Sequence, residues 1–271
     1  MTLVSTEWLS KNHSKVKIID ASWHLVKNRN ATEEYNKEHL KNAIFFDLDK
    51  NSNKKKNLPH DHFLPAIKDH EKSISEMGIL NTDRIIIYCY SDLISSCRAW
   101  FQFLYFGHNP KLVSVLNGGM KKWKLERKKI TTKKTKIIPS KYISKENKNM
   151  IKIKSEVDKN IKEKKFIILD ARNKNRFLGL ESEPRPGVKS GSIKGSKSLP
   201  LSELINTKNN TFFSKEKLKN IFNLKEVWNN EIVMSCGSSV SASSLALAYS
   251  IINDDYMAKI YIGSWTEYGK K

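Results

Sequence analysis

The sequence has few cysteines, few arginines and no long apolar run, and these scarcities exclude several classes of protein. Its 271 residues include three cysteines, Cys89, Cys97 and Cys236, at spacings that match no metal-ligand pattern and no disulfide framework. We therefore expect reduced thiols, no metal site and a cytoplasmic location. No apolar stretch approaches the roughly 20 residues of a membrane span, and the first residues lack the basic start and apolar core of a signal peptide. We expect no membrane segment and no secretory leader.

The charge is strongly one-sided, with a net value of +21. Of the 49 basic residues only seven are arginine, and the lysines are spread along the chain. No helix pattern or RNP-type motif accompanies the charge, so we expect no nucleic-acid partner. A positive field of this kind is suited to attracting a small anionic substrate.

What the chain does have is a pattern that occurs twice, in a globular composition with 39% hydrophobic residues. Apolar strands, turns and apolar helices alternate in each half, with an offset of about 145 to 150 residues between matching segments. The matching pairs are VKIIDASW with FIILDAR, HLKNAIFF with GSIKGSKSL, DRIIIYCY with NEIVMSC, CRAWFQFLYFG with SASSLALAYSI, and VSVLNGGMKKW with KIYIGSWTEY. This alternation predicts an α/β protein of two domains, each a parallel sheet flanked by helices.

The two copies imply a division of the chain into residues 1–124, a linker at 125–149, and residues 150–271. The linker is lysine-rich, contains Pro139 and has weak periodicity, so we expect an exposed connector. At the turn after the matching strands, the first half reads Tyr-Ser-Asp from residue 90 and the second reads Cys-Gly-Ser from residue 236. We therefore expect the first domain to lack a catalytic cysteine.

The turn at Cys236 has the features of a site that stabilises negative charge on a sulfur atom. It follows the strand EIVM and precedes the helix SASSLALAY, and its residues are small. Backbone N–H groups of such a turn and the positive end of the following helix stabilise a thiolate or a persulfide. Gly237 permits either a close backbone approach or a positive φ, and Ser238, Ser239 and Ser241 add hydroxyl groups.

Two other interpretations of this turn remain open. A free cysteine is often a buried, inert core residue, and this is the interpretation we favour for Cys89 and Cys97. A phosphatase loop would need arginine six residues after the cysteine, where this chain has Ala242.

The residues in and around this turn resemble the two-domain rhodanese family of sulfurtransferases over nearly the whole chain. The loop CGSSVSA is most similar to the form CGSGVTA of members that use 3-mercaptopyruvate, whereas members that prefer thiosulfate have CRKGVTA. Gly237 and Ser238 stand where the latter have arginine and lysine. This sequence departs from the pattern at Ser239, which replaces glycine, and at Ser241, which replaces threonine and keeps the hydroxyl group.

A second part of the resemblance is DARNKNRFLGLESEPRPG, residues 170–187, which is similar to the family's GRFRGTEPEPRDG. Three of the seven arginines, Arg172, Arg176 and Arg185, fall here, and the choice of arginine in a lysine-rich chain suggests bidentate recognition of a carboxylate. The resemblance implies that Arg176 and Arg185 bind the substrate, while Arg172 is structural. The alternative is a solvated loop in which these arginines pair with its own glutamates.

A third part is FFDLDKNSNKKKNLPHDHFLP, residues 45–65, which is similar to the family's FFDID…DHMLP. The resemblance implies that Asp49 and His62 form a proton relay with Ser238 beside the cysteine. A lysine-rich insertion of two residues separates Asp49 from His62 relative to the family pattern. A lone histidine in a loop is more often solvated, and we assign no role to the neighbouring His60.

The resemblance implies two tandem rhodanese-like domains and a sulfurtransferase that moves sulfur from 3-mercaptopyruvate through a Cys236 persulfide to a thiol, thioredoxin or cyanide. Neither a metal nor an organic cofactor is needed. The expected catalytic residues are Cys236, Ser238, His62 and Asp49, and the expected substrate-binding residues are Arg176, Arg185, Gly237, Ser239, Val240 and Ser241. The alternatives are a thiosulfate:cyanide sulfurtransferase and a non-catalytic rhodanese-like carrier or binding module.

Overall fold

A computed structural model describes residues 2–25, 28–53, 55, 57–92, 94–254 and 256–270. The chain forms two compact units. Unit 1 comprises residues 1–53, 64–147 and 206–212, and unit 2 comprises residues 54–63, 148–205 and 213–271. Each unit therefore includes a short segment from the opposite half of the sequence.

Unit 1 is a parallel five-stranded sheet with helices between its strands. The sheet order is β1-β5-β4-β2-β3. Its elements are β1 Leu3–Val4, α1 Thr6–Asn12, β2 Lys17–Asp20, α2 Ala31–Lys37, β3 Ala43–Phe45, α3 Ile67–Glu76, β4 Ile85–Tyr88, α4 Ser96–Tyr105, β5 Val113–Leu116 and α5 Gly119–Leu125.

Unit 2 repeats this plan with the sheet order β6-β12-β11-β7-β8, again parallel. The short strands β9 and β10 pair separately. The elements of unit 2 in chain order are β6 Ile151–Lys152, α6 Lys154–Glu163, β7 Phe166–Asp170, α7 Lys174–Leu178, β8 Lys197–Ser198, α8 Lys215–Asn223, β11 Glu231–Ser235, α9 Val240–Ile252, β12 Ile260–Tyr261 and α10 Ser264–Tyr268. Strand β9 is Ile205–Asn206, at the boundary of the two units in the chain, and β10 is Thr211–Phe212, which belongs to unit 1.

The central strands are apolar on both faces because helices cover both sides of a parallel sheet. All four residues of β4 are buried, as are the last four of β11. Helix α9 is apolar or small around most of its circumference and is buried over nearly its whole length. The predicted α/β class with two parallel sheets is therefore confirmed. Within the described ranges, no helix is both long and apolar enough to cross a membrane.

The strand registers show which residues of the two sheets are equivalent, and they correct the alignment of the turn residues made from the sequence. Asp20 pairs with Tyr88 in unit 1, and Asp170 pairs with Ser235 in unit 2. A cysteine directly follows each of these central strands, so Cys89, not Tyr90, is the counterpart of Cys236. Both cysteine carbonyls accept a backbone N–H from the start of the last helix of their unit, at 3.0 Å in unit 1 and 2.8 Å in unit 2. Both halves therefore carry a cysteine at this position, and the alignment of Tyr90 with Cys236 was wrong. That the first domain lacks a catalytic cysteine stays a prediction.

The lysine-rich segment 125–149 is not a free connector. Thr131 exchanges two backbone hydrogen bonds with His39, at 2.9 and 2.8 Å, and the Thr135 hydroxyl donates to the Ala43 carbonyl at 2.7 Å. Further along, Tyr142 is only 3% exposed. Many of its lysines are exposed, as predicted, but its backbone lies along unit 1.

Candidate active site

The thiol of Cys236 lies directly after β11 and is almost fully buried, at 2% exposure. The Trp265 N–H donates to the Cys236 carbonyl at 2.8 Å, and the Thr266 N–H and hydroxyl donate to the Gly237 carbonyl at 3.1 and 2.6 Å. Helix α10 therefore holds the backbone that directly follows the thiol-bearing Cα of Cys236. Sequence reasoning did not identify Trp265 or Thr266, because their role depends on the backbone of a residue almost thirty positions away.

Helix α9 begins at Val240, four residues after the thiol, and carries no side-chain cap. The first N–H groups of a helix lack acceptors within the helix, and their partial positive charge favours a nearby anion. Val240 and Ser241, both predicted to bind substrate, form this first turn. The arrangement fits a site that stabilises negative charge on sulfur.

The strained position in the turn is Ser239, whose φ of +66° lies in the left-handed region. Its hydroxyl donates to the Ile262 carbonyl at 2.6 Å, and its N–H donates to the Ser264 hydroxyl at 3.2 Å. These two bonds offset the strain that a glycine would avoid. The Ser239 side chain, which stands where the family pattern has glycine, is thus accommodated by its hydrogen bond to the Ile262 carbonyl. The family pattern does not predict this bond.

Gly237 is needed for close approach and not for a positive φ. A Cβ atom built on Gly237 would lie 3.3 Å from Arg185 Nη1 and 3.5 Å from Arg176 Nη2. The absence of a side chain therefore lets both guanidinium groups lie against the backbone beside Cys236. The two arginines selected from the sequence converge on the cysteine loop.

Glu183 explains why the two arginines differ. Its carboxylate, with a side-chain exposure of 1%, pairs with Arg172 at 2.6 Å and also with Arg176. Arg172 is equally buried and pairs with Asp170 at 2.7 Å, which agrees with its expected structural role. Among the described residues, Arg185 has no ion pair with a carboxylate. The alternative of a solvated loop of ion pairs therefore applies in part to Arg176 and not to Arg185.

Arg185 instead donates from Nη2 to the Ser238 hydroxyl at 3.0 Å. Burial lowers the pKa of Arg185, and the neighbouring Arg176 lowers it further, while negative charge on Cys236, Glu183 and Asp61 raises it. A buried guanidinium group is more stable with an anion beside it. The site therefore favours an anionic ligand or a thiolate close to Arg185.

His62 completes the contacts of Ser238. His62 Nδ1 lies 3.0 Å from the Ser238 hydroxyl oxygen, and both side chains are buried. When Arg185 donates to this oxygen, the hydroxyl proton is available to His62 or to an anion in the site. The structure thus brings together Cys236, Ser238, His62 and the two arginines, all within unit 2.

Asp49 lies in unit 1, where its carboxylate accepts the Trp23 indole N–H at 3.1 Å. Its role in a relay with His62 stays a prediction. The lysine-rich stretch that contains the insertion includes Lys54 and Lys56, which lie outside the described residues, so the predicted insertion is not tested. In the part of the chain that is described, no three His, Cys, Asp or Glu side chains are grouped so that they could hold a metal ion.

Comparison with known proteins identifies the family of the chain. The chain matches the family described as Rhodanese-like domain over residues 5–126 and 154–271. It is 31% identical to 3-mercaptopyruvate sulfurtransferase from Homo sapiens, covering 98% of this chain and 91% of that protein. It is also 31% identical to thiosulfate sulfurtransferase from Mus musculus, covering 99% and 92%. A crystal structure of SseA from Escherichia coli, a 3-mercaptopyruvate sulfotransferase, superimposes with a TM-score of 0.86 at 27% identity, covering 98% and 99%. With two matching domains and a thiol between strand and helix, the chain belongs to the rhodanese family of sulfurtransferases.

Proposed function

We propose that this protein transfers sulfur from 3-mercaptopyruvate, through a persulfide on Cys236, to a thiol, thioredoxin or cyanide. The observation that carries the proposal is the setting of Arg185. Its guanidinium group lies against Gly237, donates to Ser238 and has no carboxylate partner among the described residues. A substrate carboxylate would supply the missing negative charge by bidentate hydrogen bonding.

The reaction follows from these contacts in two steps. The substrate carboxylate binds Arg185, with Arg176 beside it, and the Cys236 thiolate attacks the substrate sulfur. A sulfur–sulfur bond forms, the carbon–sulfur bond breaks, and its electron pair leaves on carbon as the enolate of pyruvate. Ser238, in contact with His62, hydrogen-bonds the enolate and delivers a proton to its carbon, which yields pyruvate. The proton that the transferred sulfur loses replaces the one that Ser238 and His62 give up.

The second step regenerates the enzyme. The first N–H groups of α9 stabilise the negative outer sulfur of the Cys236 persulfide. An acceptor thiolate attacks that outer sulfur, and the Cys236 thiolate leaves. The sum is the conversion of 3-mercaptopyruvate and a thiol into pyruvate and a persulfide, so atoms and electrons balance without a cofactor.

Thiosulfate is the second candidate donor, favoured by the similarity to thiosulfate sulfurtransferases at the same identity. Thiosulfate carries two negative charges and no keto group, and the loop itself supplies Gly237 and Ser238, not cations. We therefore expect slower turnover with thiosulfate. A non-catalytic carrier or binding module is the third possibility, and it would hold cyanide-reactive sulfur without releasing pyruvate.

The deciding experiment compares donors and variants. Pyruvate release from 3-mercaptopyruvate with dithiothreitol is measured beside thiocyanate formation from thiosulfate and cyanide, for the wild type, Cys236→Ala and Cys89→Ala. Cys89 is the matched control because it directly follows β4 in unit 1, as Cys236 follows β11 in unit 2. Burial raises the pKa of its thiol, so its loss should leave turnover unchanged. Pyruvate release that depends on Cys236 alone supports the proposal, whereas faster thiosulfate turnover would reverse the donor assignment.

The binding role of Arg185 has its own test. Arg185→Lys keeps the positive charge and loses the bidentate geometry, so we expect KM for 3-mercaptopyruvate to rise by about tenfold or more. An unchanged KM would show that the carboxylate binds elsewhere. The acceptor and the cytoplasmic location remain predictions.

A further inference from the structure

His60, to which the sequence assigned no role, is buried in unit 2 at 6% exposure. Its Nε2 lies 2.9 Å from the Ile262 carbonyl oxygen, 202 residues away in the chain. Its Nδ1 accepts the backbone N–H of His62 at 3.1 Å. Both ring nitrogens of His60 therefore bond to backbone groups.

These two contacts determine the protonation state of the ring. A nitrogen that accepts an N–H carries no proton, and a nitrogen that faces a carbonyl oxygen must carry one. His60 is therefore the neutral tautomer with its proton on Nε2. The other tautomer would place two donors face to face at His62 and two acceptors face to face at Ile262.

The Ile262 carbonyl has a second donor, the hydroxyl of Ser239 at 2.6 Å. One carbonyl thus joins the histidine segment to the left-handed residue of the cysteine loop. The connection runs from the His62 backbone through His60 to Ile262, and from there to Ser239. Ser238, the neighbour of Ser239, contacts the His62 ring at 3.0 Å. The hydrogen bonds therefore form a closed ring that begins and ends at His62.

We propose that His60 is a positioning residue, which holds His62 against Ser238 by fixing the His62 backbone relative to the cysteine loop. The inference rests on the proposed function, because it assigns His60 a part in the step that Ser238 and His62 perform. Ser239 takes part in the same network through the shared carbonyl. In this role His60 acts through His62 and not directly on the thiol or the substrate.

The tautomer gives a test that does not depend on activity. Long-range ¹⁵N–¹H spectra of the wild type report which nitrogen of each histidine is protonated, and His60→Phe assigns the His60 signals. We expect His60 to carry its proton on Nε2 at pH 7.5. A proton on Nδ1, or an averaged signal typical of a solvated ring, would overturn the proposal even if the enzyme is active.

Kinetics tests the consequence. His60→Phe should lower kcat for pyruvate release by about tenfold and leave KM within about twofold, because a misplaced supporting group impairs the chemical step. In a His62→Ala background the same substitution should change kcat by less than about twofold, since there is no imidazole left to position. A loss of equal size in both backgrounds would mean that His60 acts through general stability, and would refute the positioning role.

Two further variants separate the two hydrogen bonds. His60→Asn places an acceptor near the position of Nδ1, and His60→Gln places a donor near the position of Nε2. If the hydrogen bond to the His62 backbone matters for catalysis, His60→Asn retains more of kcat than His60→Gln. Thermal unfolding curves show whether each variant is folded. The reverse order would contradict the proposal. If the wild type releases no pyruvate, the proposed function fails. The tautomer of His60 still shows whether its two backbone hydrogen bonds exist, so the two failures can be told apart.

Discussion

Acid should destabilise unit 1 through His70, and replacement of this histidine by phenylalanine should remove much of that sensitivity. The His70 ring is fully buried and stacks on Phe106 with ring centroids 3.9 Å apart. Its Nδ1 contacts the Ser144 hydroxyl at 2.8 Å, and its Nε2 has no hydrogen-bond partner among the described residues. A second proton on this ring would therefore have no acceptor.

The magnitude follows from the pKa. Burial, with a smaller contribution from His108, lowers the pKa of His70 from 6.5 to about 3. The folded state thus binds its proton more weakly than the unfolded state, so stability is complete above pH 6.5 and falls as the pH drops towards 3. The difference between the two pKa values corresponds to about 5 kcal/mol of the free energy of unfolding. About 2 kcal/mol of it is already lost at pH 5. Burial also lowers the pKa of His108, which adds a loss of the same sign.

Urea unfolding followed by tryptophan fluorescence at pH 7.5 and pH 5 measures this loss. The wild type should lose about 2 kcal/mol more than His70→Phe between the two pH values. His13→Asn is the control, because it removes a partly buried histidine of unit 1 whose ring contacts the local Ser10 carbonyl and not the aromatic cluster around His70. If His70→Phe loses as much stability as the wild type, the buried neutral state of His70 is not the cause of acid sensitivity.

Three further predictions concern the cysteine loop and its arginines. Gly237→Ala should raise KM for the sulfur donor several-fold without changing the fold, because its Cβ would lie 3.3 Å from Arg185 Nη1 and would shift that guanidinium group; steady-state kinetics with circular dichroism tests this, and an unchanged KM contradicts it. Ser239→Ala should lower the unfolding free energy by about 1 kcal/mol, while Ser239→Gly should change it by less than about 0.5 kcal/mol, since glycine relieves the left-handed strain; equal losses in urea unfolding would refute that account. Glu183→Gln should cost about 3 kcal/mol in the same assay, because it leaves buried arginine charge uncompensated; a loss below 1 kcal/mol would show that the charge relaxes into water.

Much of the architecture follows from local patterns in the sequence. Runs of β-branched residues such as Ile85–Ile87 mark the buried strands, and small residues after them mark the turns. The choice of arginine at Arg176 and Arg185 in a lysine-rich chain also identified two side chains that meet the cysteine loop. These signals are local, so one sequence is sufficient to detect them.

The errors arose where the decisive information is not local. Turn residues gave the wrong alignment of Tyr90 with Cys236, because strand register is determined by pairing across the sheet and the first-half turn is longer. His60 was missed because its partner Ile262 lies in the other half of the chain. The backbone hydrogen bonds that hold the segment around Thr131 to unit 1 likewise leave no mark in its composition.

The exchange of short segments between the two halves bears on how the protein could evolve. Residues 54–63 belong to unit 2 although the first half encodes them, and residues 206–212 belong to unit 1 although the second half encodes them. A gene cut at the boundary between the repeats would therefore yield two incomplete products, and the second would lack His60 and His62. Once the two repeats of a duplicated ancestor had exchanged these segments, neither repeat could be lost or transferred alone. Each repeat is therefore retained together with the other, because each unit contains a segment from both halves of the chain.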